Sequence, residues 1–158
     1  MKIFPTKELK FRLVDDQEKS LNRLRRRTEK SKNLTSSLTD KSFRGTINGN
    51  NFKLISSAIG KGAFCVMSGT IESERGTVRI EIHKIFRIIL SIFLCLPIIA
   101  IVLAALIGKE EPNPIFIVVI IVQIAFIRFV FIGLLFRFLA IDSLNRLRDV
   151  LDVEWIKN

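Results

Sequence analysis

Tyrosine is absent from this chain of 158 residues, histidine and tryptophan each occur once, and cysteine occurs twice. Each scarcity removes a class of chemistry. His83 is the sole imidazole and ends a strand-like run with Glu81 two residues before it, so no nucleophile, base and orienting group can be assembled by pattern. Cys65 and Cys95 lack metal-ligand spacing, and no Cys/His/Asp cluster points to a metal. No cofactor, metal or catalytic residue is therefore expected, and the chain does not read as an enzyme. Cys95 falls in an apolar run and Cys65 in a mixed stretch, so the thiols read as small buried groups and not as a disulfide. Gly60-Lys61-Gly62 is too short for a phosphate-cradling loop and lacks its order. Met1 and Lys2 lead into a mixed polar stretch, not the apolar core of a secretory signal. The chain carries a formal net charge of +10, yet its first 84 residues hold no Trp or Tyr and no nucleic-acid motif. That weighs against nucleic acid as the partner.

Long apolar runs are what the chain does have. Ile88–Ile107 and Ile115–Leu135 are separated by seven residues. About 20 helical residues at about 1.5 Å each cover the roughly 30 Å of a bilayer's hydrocarbon. In lipid the backbone must satisfy its own hydrogen bonds, which makes each run a helix. The pattern predicts a two-helix transmembrane hairpin over 85–138, with helices at about 86–107 and 115–136. The connecting loop, Gly108 to Pro114, is net −1. Arg79, Lys84 and Arg87 precede the first run, and Arg137, Arg146 and Arg148 follow the second. The positive-inside rule then places both termini in the cytoplasm, in a multi-pass protein of the cell (inner) membrane.

Residues 1–87 carry 19 Lys/Arg against 9 Asp/Glu. They read as a cytoplasmic α+β domain over 1–84, in the order β-α-β-β-β-β. Leu9, Phe11 and Leu13 alternate with charge. Asp15-Asp16-Gln17-Glu18 resembles a capping box opening a helix from about 16 to 30. Residues 31–42 read as a loop. Phe43–Asn48 and a return strand with Phe52 and Leu54 flank a hairpin turn at Asn48-Gly49. Ala63–Ile71 forms the next strand. Val78, Ile80 and Ile82 then alternate inward against Arg79 and Glu81. Residues 139–158 carry Ile141, Leu144, Leu147 and Leu151 at helical spacing. The tail from Asp152 is either a final strand closing the sheet or a helix end packed on it.

The stretches Ser42-Phe43-Arg44-Gly45-Thr46-Ile47-Asn48-Gly49-Asn50-Asn51-Phe52-Lys53-Leu54, Ser68-Gly69-Thr70-Ile71 and Thr77-Val78-Arg79-Ile80-Glu81-Ile82 carry a likeness. With them the chain resembles, over residues 7–135, a loosely defined group of small bacterial two-pass membrane proteins with a cytoplasmic α+β domain. The resemblance implies a fold and a topology and no activity.

Four sets of residues stand out. Arg128 interrupts the second run about 10 Å from its cytoplasmic end. It either snorkels to headgroup phosphate or serves a pore lining or helix contact. Gln123 lies deeper, about 140° round the helix from it, which opposes a single polar stripe. Arg87, Arg128 and Arg137 are the candidate headgroup contacts. Arg23, Arg25, Arg26, Arg27 and Lys30 form a basic helix face, open to anionic lipid, plain solvation or nucleic acid, in that order. Ala100, Ala104 and Gly108 stand four apart, a spacing that lets helices approach closely. The expected role is a membrane-anchored module whose basic cytoplasmic face meets anionic lipid or a protein partner. The alternative is an oligomeric channel or effector gated by the cytoplasmic domain.

Overall fold

A computed structural model of the chain describes residues 4–35, 39–57, 62–107 and 114–156. Two compact units emerge: residues 1–83 together with 136–158, and residues 84–135.

The first unit is an α+β fold on a seven-stranded mixed sheet. Its strands are β1 (Thr6–Leu13), β2 (Thr28–Lys30), β3 (Phe43–Asn48), β4 (Asn51–Ser56), β5 (Cys65–Glu72), β6 (Arg75–Ile82) and β7 (Val153–Ile156), in the order β2-β3-β4-β5-β6-β1-β7. Only β2 and β3 run parallel; the other neighbours are antiparallel. Two helices, α1 (Gln17–Arg27) and α4 (Phe136–Leu151), pack on each other, and α4 packs against β4 and β5.

Alternation sets which side is covered. Val78, Ile80 and Ile82 are all buried, as their period-two spacing predicts. They face Gly69, Met67 and Cys65 of β5 in register. Leu24 of α1 and Leu144, Leu147 and Leu151 of α4 supply the helical half of this core. On the same side the row Ile71–Gly76–Phe11–Trp155 crosses four strands. Gly76 leaves room for the Phe11 ring, which meets Trp155 edge-on at 6.1 Å.

Several local expectations shift. The predicted helix to residue 30 stops at Arg27, and Thr28–Lys30 peels off as β2, a short edge strand. The capping box does not form: Asp16 occupies the cap without a side-chain bond, and Asp15 turns to Arg23 instead. The tight turn is Gly49-Asn50, one residue later than predicted, with Asn48 opposite Asn51 and Gly49 at φ 57°. The tail is a strand: Asp152, at φ 56°, ends α4 in the left-handed conformation, and β7 then pairs with β1.

The second unit contains α2 (Lys84–Ile107), α3 (Pro114–Phe126) and a π-helical stretch, Ile127–Leu135. The backbone stays helical from Pro114 to Leu151 without a break. Two helices, Lys84–Leu103 and Ile117–Leu151, are long and apolar enough to cross a membrane. Leu90 and Pro97 of α2 are buried, with Leu94 and Ile101 half-buried on the same heptad-like line, and α2 packs on α3. Of the three small residues anticipated as a helix contact, Ala100 lies off this line. Ala100 is exposed, about 100° round the helix from Ile101. The side chain of Ala104, and Gly108 altogether, lie outside the described residues.

Candidate functional site

The first unit has two chemically distinct ends. At one, His83 leads out of the sheet and Phe136 leads back in. This junction end includes Phe43 opposite Ser56 and Cys65 opposite Ile82, with the His83 N–H donating to Phe64 O at 2.8 Å. The far end holds the β5–β6 turn, the start of α1 and the start of β7: Gln17 Nε2 donates to Ile71 O, and Val14 N–H to Asp152 O.

α1 runs from the far end to the junction end, because Gln17 is tied to Ile71 while Thr28, one residue past its last turn, pairs with Phe43. Its arginines thereby arrive at the same end of the sheet as Phe43, Cys65 and Ile82. Arg25, Arg26 and Arg27 are exposed, and among the described residues no carboxylate lies within 4 Å of them or of Lys30. Lys41 adds a cation here, its Nζ donating to Arg26 O. Lys30 lies further along β2, opposite Gly45.

Arg23 belongs to a different structure from its neighbours. It donates to Asp15 Oδ2 at 2.7 Å and to Leu151 O at 3.4 Å, and lies 3.8 Å from Asp152. Ser20, fully buried, donates to the same carbonyl. These bonds fasten the C-terminal segment to α1, so the expected basic face loses Arg23. The signal was available: Asp15 and Asp16 precede Arg23 by about two helical turns.

Carboxylates gather at the opposite end. Of the thirteen in residues 1–83 and 136–158, eight sit at the far end: Asp15, Asp16, Glu18, Glu72, Glu74, Asp149, Asp152 and Glu154. The open side of the sheet is nearly neutral. Six cations (Lys10, Arg12, Arg44, Lys53, Arg75, Arg79) alternate there with five carboxylates (Glu8, Glu29, Glu72, Glu81, Glu154), and Arg79–Glu81 and Arg44–Glu29 pair at 3.9 and 4.0 Å. Among the described residues, Arg25, Arg26, Arg27 and Lys41 thus make the junction end the basic one.

The remaining candidates scatter. In the apolar unit Arg128 is half-buried, the second residue of the π stretch, and Gln123 is exposed; Arg87 is half-buried at the start of α2. Arg137 is exposed at the start of α4. No carboxylate among the described residues pairs with any of these arginines. The π stretch had no expectation from sequence. Long π segments are rare and recur at functional positions, and this one contains the only charge within the second apolar run.

No group of three His, Cys, Asp or Glu that could hold a metal occurs among the described residues. Cys65 is fully buried, and burial pushes its thiol up to about 12. The neutral thiol is a poor nucleophile, so native protein at pH 7.5 is expected to leave Cys65 unmodified by a maleimide, with rapid labelling after denaturation. Mass spectrometry of the modified peptide checks this; full labelling of the native fold would contradict the burial.

No protein-family model matches the chain, and neither a curated protein nor a solved structure does.

Proposed function

We propose that the protein is a small two-pass membrane protein of the cell (inner) membrane whose α+β unit lies in the cytoplasm. Its junction end meets the anionic leaflet. One observation carries the reading: of 25 exposed large apolar side chains among the described residues, 21 lie in residues 84–135. A surface so continuously apolar has no stable counterpart in water. Lipid supplies one, and a helical hairpin is the form in which two such segments cross it.

The sheet supports the even number of crossings. β7 pairs with β1, and α4 packs on α1, so residues on both sides of the apolar unit belong to one fold and share one aqueous compartment. The positive-inside rule favours the cytoplasm for that compartment. Arg25, Arg26 and Arg27 then stand near anionic headgroups, where each basic residue contributes about 1 kcal/mol. Arg87, Arg128 and Arg137 act as depth markers, their guanidinium groups reaching toward phosphate. The near-neutral sheet side and the acidic far end remain in water, available to a protein partner. A channel gated by this unit has less support, since exposed Gln123 and half-buried Arg128 share no polar stripe.

Reconstituted full-length protein tests the lipid contact. Amide exchange in α1 is expected to slow in vesicles containing phosphatidylglycerol relative to neutral vesicles. Replacing Arg25, Arg26 and Arg27 together by Glu, or raising salt well above physiological, should abolish the difference. Equal exchange in both vesicle types at low and physiological salt would remove the claim.

A further inference from the structure

Outside residues 84–135 only four large apolar side chains are exposed among the described residues: Val14, Phe138, Ile141 and Ile156. Two of the four lie on the first two turns of α4. Phe138 is 64% exposed and Ile141 52%. They fall on one line of the helix with Asn145 and Arg148, at positions i, i+3, i+7 and i+10. Along that line the chemistry changes once: apolar through Ile141, polar from Asn145 onward. The opposite side of α4 is buried over its whole length, from Phe136 and Ala140 to Leu147 and Leu151. Core packing therefore does not dictate what the outward line carries, and the medium it meets does.

We infer that this line is a lipid contact in its own right. Phe138 and Ile141 enter the headgroup layer of the leaflet, and the water boundary on the second apolar helix falls between Ile141 and Asn145. The inference rests on the membrane reading above and adds to it the surface by which the α+β unit touches the bilayer. Length agrees. From Pro114 to Ile141 the helix reaches about 42 Å at about 1.5 Å per residue, against about 40–45 Å for a bilayer with its headgroup zones. Continuity agrees as well, because exposed apolar positions run from Ile117 through Phe129 and Leu134 to Ile141 and then cease. Arg137, exposed beside Phe138, supplies the phosphate-directed cation such interfacial helices carry. The helix α4 thus serves two environments at once: one side closes the protein core, and the other rests in lipid headgroups.

Depth measurement on the full chain in phosphatidylglycerol-containing vesicles tests this. A fluorophore is attached to single cysteines made by F138C, I141C, N145C and R148C, with V122C as reference, in a C95S background where the buried Cys65 stays unlabelled. Quenching by brominated acyl chains is expected to be several-fold stronger at 138 and 141 than at 145 and 148, and aqueous iodide should show the reverse order. Lipid quenching at 122 with iodide quenching at 138 and 141 equal to that at 145 would overturn this inference and leave the membrane reading standing. Iodide access at 122 would overturn both. Because all four α4 positions are exposed, the labels leave the core intact, and unchanged amide protection of β5 and β6 verifies it.

Discussion

A chain ending at Leu135 is expected to lose the fold of residues 1–83 while its apolar helices persist. The missing segment supplies buried Phe136, Leu139, Leu144, Leu147, Leu151 and Val153. Each large apolar side chain removed from water contributes about 1.5–3 kcal/mol, so these six sum to about 9–18 kcal/mol. A domain of this size has only about 5–15 kcal/mol to lose. The truncation also uncovers the β1 edge from Lys10 to Leu13 and removes the Leu151 carbonyl that Ser20 and Arg23 bond. Proteolysis of reconstituted protein reads the result: the truncated chain should be cut throughout residues 6–82 at protease levels the full chain resists. Resistance equal to that of the full chain would mean that α4 decorates the unit and does not complete it. In the full chain, Leu147→Ala isolates one part of the effect, with an expected loss of about 2–5 kcal/mol from transfer and cavity terms.

Gly45→Ala is expected to destabilise the first unit by about 3 kcal/mol or more. Gly45 sits at φ 153°, a region that side chains rarely adopt, and an added Cβ would stand 2.1 Å from the Lys53 carbonyl oxygen and 2.9 Å from Leu54 Cα. Both obstacles are backbone atoms of β4, so no rotamer change relieves them; β3 and β4 must part. The thermal midpoint should fall by about 10 °C or more. Gly49 provides the contrast. Its φ of 57° suits Asn, and nothing lies within 4 Å of a would-be Cβ. Gly49→Asn should therefore stay within about 0.5 kcal/mol of the parent. Similar losses at both positions would show that turn strain, not the β3–β4 approach, sets the effect.

The two kinds of substitution also mark what sequence could and could not disclose. The β6 alternation was legible because one side of that strand is buried and the other wet, so Val78, Ile80 and Ile82 wrote their environment directly into the chain. The closing strand was legible as an alternative for the same reason. β2 was hidden: Thr28-Glu29-Lys30 follows a run of strong helix formers, and only its pairing with β3 twelve residues beyond makes it a strand. Arg23 read as one more surface cation, because two of its partners, Asp152 and the Leu151 carbonyl, are more than a hundred residues away and only Asp15 is local. Ala100 has the spacing for close packing, but its phase turns it away from the side that Leu90 and Pro97 bury, and spacing alone does not disclose phase. The segregation of arginines from carboxylates depends on α1 running toward the junction end, a fact about topology that no local pattern holds.

Placing β1 beside β7 has a consequence for biosynthesis. At about 5–20 residues per second a ribosome needs about 4–14 s to add the seventy residues from Lys84 through Val153. Throughout that interval the nascent sheet has an open flank at β1, and the apolar side that α4 will cover is bare. Both apolar helices are completed before the last strand emerges, so the α+β unit matures only after they have been translated. Codon choice or chaperone occupancy over that window is therefore expected to govern the yield of folded protein more strongly than it would in a chain whose domain closes before its first apolar helix.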